Sequence, residues 1–149
     1  MRAVIQRVKD AAVHAEGRIA GSIGTGLLVL AGIGADDGVA DMHYMADKIL
    51  NLRIFPDEYE RMNLSVLDCR GGILLVSQFT LWGDARKGRR PNFMFAAPPD
   101  KALELWPYLT GKLRESGLNI QEGIFGAMMD VRLTNWGPVT ILLDSKRGF

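Results

Sequence analysis

The sequence predicts an α+β fold, with antiparallel sheets curled into a barrel-like body and two helices packed on it. Three observations carry that reading. Short alternating or wholly apolar segments, punctuated by turn residues, make up most of the chain. Apolar residues recur at helical spacing in only two stretches, one after Asp37 and one after Pro99. Those stretches are separated helices in an order that is otherwise mostly strands and short turns, which suggests α+β.

Taken in order, residues 2–9 alternate, with Ala3, Ile5 and Arg7 on one face and Val4, Gln6 and Val8 on the other. Arg7 therefore stands on an otherwise apolar row. "AVHAEGRIAGSI" reads as a hairpin turning near Glu16–Gly17, and "GLLVLAGI" as a buried strand. Asp36–Asp37 offers a helix N-cap, after which Val39, Met42, Ala46, Ile49 and Leu50 share a face. "LRIF" is a short strand, Pro56–Asp57 opens a loop, and "GGILLVSQFTL" is a strand launched by Gly71–Gly72. "ARKGRRPNFMFAAPP" is basic and Pro-rich, hence a long loop. A helix beginning near Pro98–Pro99–Asp100 turns Leu103, Trp106, Leu109 and Leu113 inward, with Pro107 expected to kink or split it. Strands are expected over 118–125, 128–135 and 138–144. The last two are separated by Gly137–Pro138, a pair out of place in a sheet interior.

A chain of 149 residues with 48% apolar and 23% charged residues fits one globular domain, residues 1–149. No apolar run has the length of a membrane span, and "MRAVIQRVKD" reads as a strand rather than a targeting peptide. The single cysteine, Cys69, excludes an internal disulfide and suits a reducing cytoplasm, the expected location. His14 and His43 lie near no other candidate ligand, so no metal site is expected. A net charge of +1 argues against a general nucleic-acid coat but leaves room for a local basic patch.

Several chemistries can be weighed on the residues alone. "VLAGIGADDG" places Gly32 and Gly34 at a strand-to-helix turn, yet its G-x-G-x-x-x-G spacing and lack of a βαβ context make a tight turn the better account than a dinucleotide site. No G-x-S-x-G elbow exists, and neither histidine flanks a nucleophile. Asp84 and Asp130 read as solvated turn residues more readily than as catalytic acids. Arg86, Lys87, Arg89 and Arg90 suit either a grip on one or two phosphates or a solvated loop. In "SQFTL" a wholly apolar strand ends in Ser77, Gln78 and Thr80, polar groups that need partners. They either cap the sheet or line a pocket with hydroxyls and free N–H groups. Thr80 as nucleophile would need a base that the sequence does not name, whereas backbone N–H groups can stabilise an oxyanion without one.

"SQFTL" (77–81) and "NWGPVT" (135–140) together resemble the two signature motifs of the D-aminoacyl-tRNA deacylases. The resemblance extends through "IQRV", "GLLVL", "LRIF", "MNLSV", "KGRRPNF" and "GIFGAMM", so it covers the whole chain with the motifs in family order. It implies a cytosolic homodimer that uses no metal or cofactor and hydrolyses the ester between a D-amino acid and the terminal adenosine of tRNA. It further implies a cis Gly137–Pro138 bond whose carbonyls face the substrate's α-ammonium from the partner subunit. With ammonium and ester fixed, a D side chain would point outward and an L side chain would meet backbone, a rejection by clash. Glycine has no side chain to reject, so glycyl-tRNA, including glycine mischarged on tRNA-Ala, would enter too.

The resemblance assigns Ser77, Gln78, Phe79 and Thr80 to catalysis and Gly137, Pro138, Asn135, Val139 and Thr140 to substrate binding. Arg7 would lock the Gly–Pro tip. Phe125 and Met129 would line an adenosine pocket or serve equally as core. Arg86, Lys87, Arg89 and Arg90 would contact the acceptor stem. For the chemistry, one reading makes Thr80 the nucleophile. The favoured one has the Phe79–Thr80 backbone orient the ester while the ribose 2′-OH helps activate water. The chain departs from the family pattern at Met128, often acidic, and at Pro107, where the helix is often uninterrupted; Trp136 occupies a variable position. A sister family with a trans Gly–Pro bond is a less fitting match. A non-catalytic RNA- or DNA-binding module is the alternative from a different class.

Overall fold

The computed structural model describes residues 1–148. Its strands are β1 (Arg2–Ala15), β2 (Arg18–Ile23), β3 (Gly26–Gly32), β4 (Phe55–Pro56), β5 (Met62–Leu64), β6 (Gly72–Ser77), β7 (Ile120–Glu122) and β8 (Asp130–Asp144). Its helices are α1 (Val39–Asn51) and α2 (Pro99–Arg114), with a 3-10 turn over Phe79–Trp82. The architecture is α+β, a nearly closed barrel-like sheet carrying two helices. None of the described helices is long and apolar enough to cross a membrane.

β1 organises the sheet. One edge pairs along its length with β8, and the other pairs first with β3 and then with β2. The sheet continues from β3 to β6 and β7, and β2 returns against β7. The expected antiparallel pairing holds for β1 with β2, β3 and β8, whereas β3–β6 and β6–β7 are parallel pairs. Each is joined by a long crossover, one containing α1 and the other α2, as parallel neighbours require.

The sheet has an apolar core on each side. Ile5, Leu27, Val29, Ile73 and Leu75 face α1 and α2, while Val8, Val13, Leu28, Leu74 and Val76 fill the barrel interior. Simple alternation would put Val8 and Val13 on opposite faces. A register shift between Val8 and Asp10 inserts an extra residue and brings them to the same side.

Several expected boundaries are corrected. Gly38, not Asp36 or Asp37, caps α1. Asp37 is taken up elsewhere, accepting from the Met1 amine and from Gly34 N–H, each at 2.6 Å, while Asp41 reaches back to Gly38 N–H at 3.0 Å. "LRIF" is not a strand; only Phe55 pairs, together with Pro56, across to β5. β6 stops at Ser77 and the chain tightens into the 3-10 turn instead of continuing to Leu81. α2 buries Ala102, Leu105, Trp106, Leu109 and Leu113, whereas Leu103 is 52% exposed. Pro107 neither splits nor ends α2. It lies on the solvent face, as does Leu103, whose carbonyl would otherwise bond it, so water can satisfy the freed acceptor. The strand expected over 118–125 contracts to β7, and the two expected after it are one, β8.

Candidate active site

β8 contains the Gly137–Pro138 pair because the ladder makes room for it. Gln6 pairs with Thr140 and Val8 with Asn135, so residues 136–139 face Arg7 alone. The four residues form a tip bulging from the strand, and the Gly137–Pro138 bond within it is cis. Asn135 braces the base of the tip, accepting from Val139 N–H at 3.0 Å and donating to Thr140 Oγ1 at 3.1 Å. Arg7 braces its side. It donates to the Trp136 carbonyl at 2.9 Å and to the Ile54 carbonyl at 2.6 Å, and its guanidinium lies 4.6 Å from the centre of the Trp136 ring. Burial lowers the Arg7 pKa from its ordinary value. Gly137 cannot readily be replaced: its φ is +135°, and a Cβ there would lie 2.8 Å from Val139 Cγ2 and 2.9 Å from an Arg7 nitrogen.

A separate cavity of about 760 Å³ opens where β6 ends. The strand end and 3-10 turn contribute Ser77, Gln78, Phe79 and Thr80; loop 123–129 contributes Phe125, Met128 and Met129; α2 contributes Ala102 and Trp106; and Phe93, Pro98 and Pro99 complete the wall. None of its lining residues is an Asp, Glu, His, Lys, Arg, Cys or Tyr. Thr80 is exposed, and its hydroxyl accepts from the Gln78 amide; among the described residues no side-chain base accepts from it. Leu81 N–H is the first in the turn to bond back, to Gln78 O at 3.3 Å. Phe79 and Thr80 precede it, at positions whose N–H groups have no partner within a helix.

The glycines of "AGIGA" now have a packing role. A Cβ on Gly32 would lie 2.6 Å from the Gln78 carbonyl, and one on Gly34 would lie 2.5 Å from the Trp82 ring. Trp82 also donates to the Gly32 carbonyl at 3.0 Å. These glycines let the 3-10 turn seat against β3.

Sequence reasoning assigned no site role to Trp106 or Glu122. Trp106 Nε1 donates to Glu122 at 2.8 Å, its ring meets Phe125 edge-on at 5.6 Å, and Arg114 bonds the other Glu122 oxygen. An inward Trp at helical spacing gives no hint that it forms a cavity wall. Phe125 and Met129, left open between pocket and core, line the cavity and also pack against the two apolar cores. Gly137, Pro138, Arg7, Asn135, Val139 and Thr140 do not; within one chain, the tip and the cavity are distinct. Nor do the cations of loop 83–98 line it. Arg86 is engaged by Asp84 at 2.6 Å, and its hydrogen bonds hold that carboxyl down to about 2, while Lys87, Arg89 and Arg90 are exposed. Among the described residues no cluster of three His, Cys, Asp or Glu could hold a metal ion.

Residues 4–144 match the family model described as D-Tyr-tRNA(Tyr) deacylase. The chain belongs to that deacylase family. As a deacylase-family member it is a hydrolase. Relatives named D-aminoacyl-tRNA deacylase agree along the full length. The one from Koribacter versatilis is 57% identical and the one from Thermosipho africanus 56%, each covering 100% of both chains. The one from Thermus aquaticus is 56% identical over 97% of this chain and 95% of its own. Among solved structures, the deacylase-family fold here is similar to one named "c-Myc DNA Unwinding Element Binding Protein", with a TM-score of 0.91 and 42% identity over 97% of this chain and 98% of that one. A second, "Structural Analysis of a probable eukaryotic D-amino acid tRNA deacylase", has a TM-score of 0.82 at 18% identity, over 95% and 97% of the two chains. At that identity it speaks for the fold alone.

Proposed function

We propose that this chain hydrolyses the ester between a D-amino acid and the 3′-terminal adenosine of tRNA, releasing the free amino acid and the tRNA. One observation carries the reading: a nucleoside-sized apolar cavity, free of ionisable side chains, abuts the strand end that carries Ser77–Thr80. The terminal adenosine enters between Phe125, Met129 and α2. The ester carbonyl lies against the Phe79–Thr80 turn, whose N–H groups stabilise the oxyanion formed when water adds. Since the wall offers no side-chain base, the ribose 2′-OH relays the proton from the attacking water. The C–O bond to the 3′ oxygen then breaks, and that oxygen leaves protonated. An aminoacyl ester is already labile, so positioning and electrostatics suffice.

The protein works as a homodimer in the cytoplasm. Because the Gly137–Pro138 tip lies outside its own cavity, a second copy supplies it, and its carbonyls hold the substrate's ammonium. An L side chain is expelled by clash with this backbone, while D-amino acids and glycine are admitted, so glycyl-tRNA is a substrate too. The arrangement needs no cofactor.

The test is a paired assay with D- and L-tyrosyl-tRNA. Rapid release of D-tyrosine with negligible release of L-tyrosine is expected, and equal rates would sink the proofreading claim. Binding of tRNA with turnover of neither would favour a nucleic-acid-binding module, the reading suggested by the exposed cations and by the DNA-binding name of the 42% identical structure.

A further inference from the structure

Loop 83–98 is ordered by chemistry along its length. Its apex bears Lys87, Arg89 and Arg90, exposed and without an ion pair among the described residues. A backbone bridge between Asp84 and Asn92, with bonds of 2.7 and 2.8 Å, closes the apex. Just beyond it, Met94 is 76% and Phe95 53% exposed. The next residues, Ala96 and Ala97, already line the cavity, as does Phe93 on the other side.

Those two apolar side chains are held in water by a fixed backbone. Met94 N–H donates to Asn92 Oδ1 at 2.9 Å. The Phe95 carbonyl accepts from Ala35 N–H, and Ala97 N–H donates to the Ile33 carbonyl, each at 2.9 Å. Phe93 is held by an edge-on contact with Phe79 at 5.2 Å. Grouped apolar side chains kept exposed in this way mark a contact surface. The adjacent charge selects the occupant: cations with no acidic partners favour a polyanion, and aromatic faces beside cations take unpaired bases by stacking.

We propose that Met94 and Phe95 form a stacking platform for the unpaired nucleotide preceding the terminal adenosine. The platform sits between the phosphate contacts of Lys87, Arg89 and Arg90 and the nucleoside cavity, so the loop presents phosphate grip, base platform and cavity wall in succession. Stacking tolerates any base, as suits an enzyme that meets many tRNAs. This inference rests on the reading that the cavity takes the aminoacyl-adenosine.

Two substrates test it: D-tyrosyl-tRNA, and 3′-(D-tyrosyl)adenosine, which lacks every upstream nucleotide. In the Phe95→Ala variant the kcat/KM ratio of the first substrate to the second should fall about tenfold, through KM for the tRNA. Phe95→Tyr should restore it. The salt dependence of KM should flatten in Lys87→Ala and stay as in the wild type in Phe95→Ala. An unchanged ratio, whether from equal losses on the two substrates or from none, would overturn the platform. So would a change in oligomeric state on sedimentation, which would assign the patch to a second copy of the chain. Failure of the wild-type protein to hydrolyse either substrate would instead remove the catalytic reading itself.

Discussion

Arg7 donates its Nε–H to the Trp136 carbonyl at 2.9 Å from the single β1 position that faces four residues of β8. The same guanidinium reaches the Ile54 carbonyl at 2.6 Å, joining the tip to the segment ahead of β4. One residue thus fills the space that the tip opens in the ladder and holds its flank.

Arg7→Lys should disable the tip. An ammonium cannot present two divergent, planar N–H bonds, so one buried carbonyl loses its partner at a cost of about 1–3 kcal/mol. We expect D-tyrosyl-tRNA kcat/KM to drop roughly ten- to a hundredfold, with a lowered melting temperature in a thermal scan. Activity and melting temperature both at wild-type values would show that Arg7 does not hold the tip.

Thr80→Ala should keep kcat within about tenfold of wild type, because no base adjoins its hydroxyl and the proposed oxyanion donors are backbone. Removing a true nucleophile costs on the order of 10⁶ in kcat. Single-turnover rates at saturating enzyme separate the two cases, and a collapse to the uncatalysed rate would make Thr80 the nucleophile.

Glu122 should act on KM through Trp106 and Phe125. Losing its carboxylate leaves a largely buried indole N–H without its acceptor and frees the ring that backs Phe125. Glu122→Ala and Trp106→Phe should each raise KM for the adenosine ester about five- to twentyfold at near-constant kcat. The double variant should be no worse than the poorer single one, since the two act as one unit. Fully additive losses would separate their roles.

The start of α1 should be acid-sensitive. Burial raises the Asp41 carboxyl, but bonds from Lys146, Ser145 and Gly38 outweigh it and hold it at about 2, below the ordinary 3.8. A depressed folded-state value stabilises the fold above the unfolded value and is lost as pH falls through the folded one. Asp41→Asn should therefore lower stability by about 1 kcal/mol at neutral pH. In urea titrations the gap from wild type should close between about pH 4 and pH 2. A gap independent of pH would rule out the charged form as its source.

Much of this was legible from the chain. The buried strand 26–32, the Glu16–Gly17 turn and the inward row of α1 follow from local periodicity, a property of neighbouring residues alone. Arg7 already stood out as a cation on an apolar row, and "SQFTL" as a polar end to an apolar strand. Other features were illegible for identifiable reasons. A purely local pattern cannot show that β3 and β6 run parallel, because that depends on where α1 carries the chain. Nor can it place Leu103 outside while Ala102 and Leu105 go in, since helical spacing fixes a stripe but not which neighbour covers it.

The sequence by itself determined the two helices, the long strands, the family and the residues worth watching, because these rest on short-range pattern and on motif order. Only the tertiary structure decided what became of Gly137–Pro138. Two separate strands were the natural reading of a proline between them; one strand with a braced four-residue tip is the outcome, because Arg7 and Asn135 supply hydrogen bonds that the ladder gives up there. It also decided that tip and cavity lie apart in one chain, a fact of three-dimensional placement that no spacing along the sequence encodes.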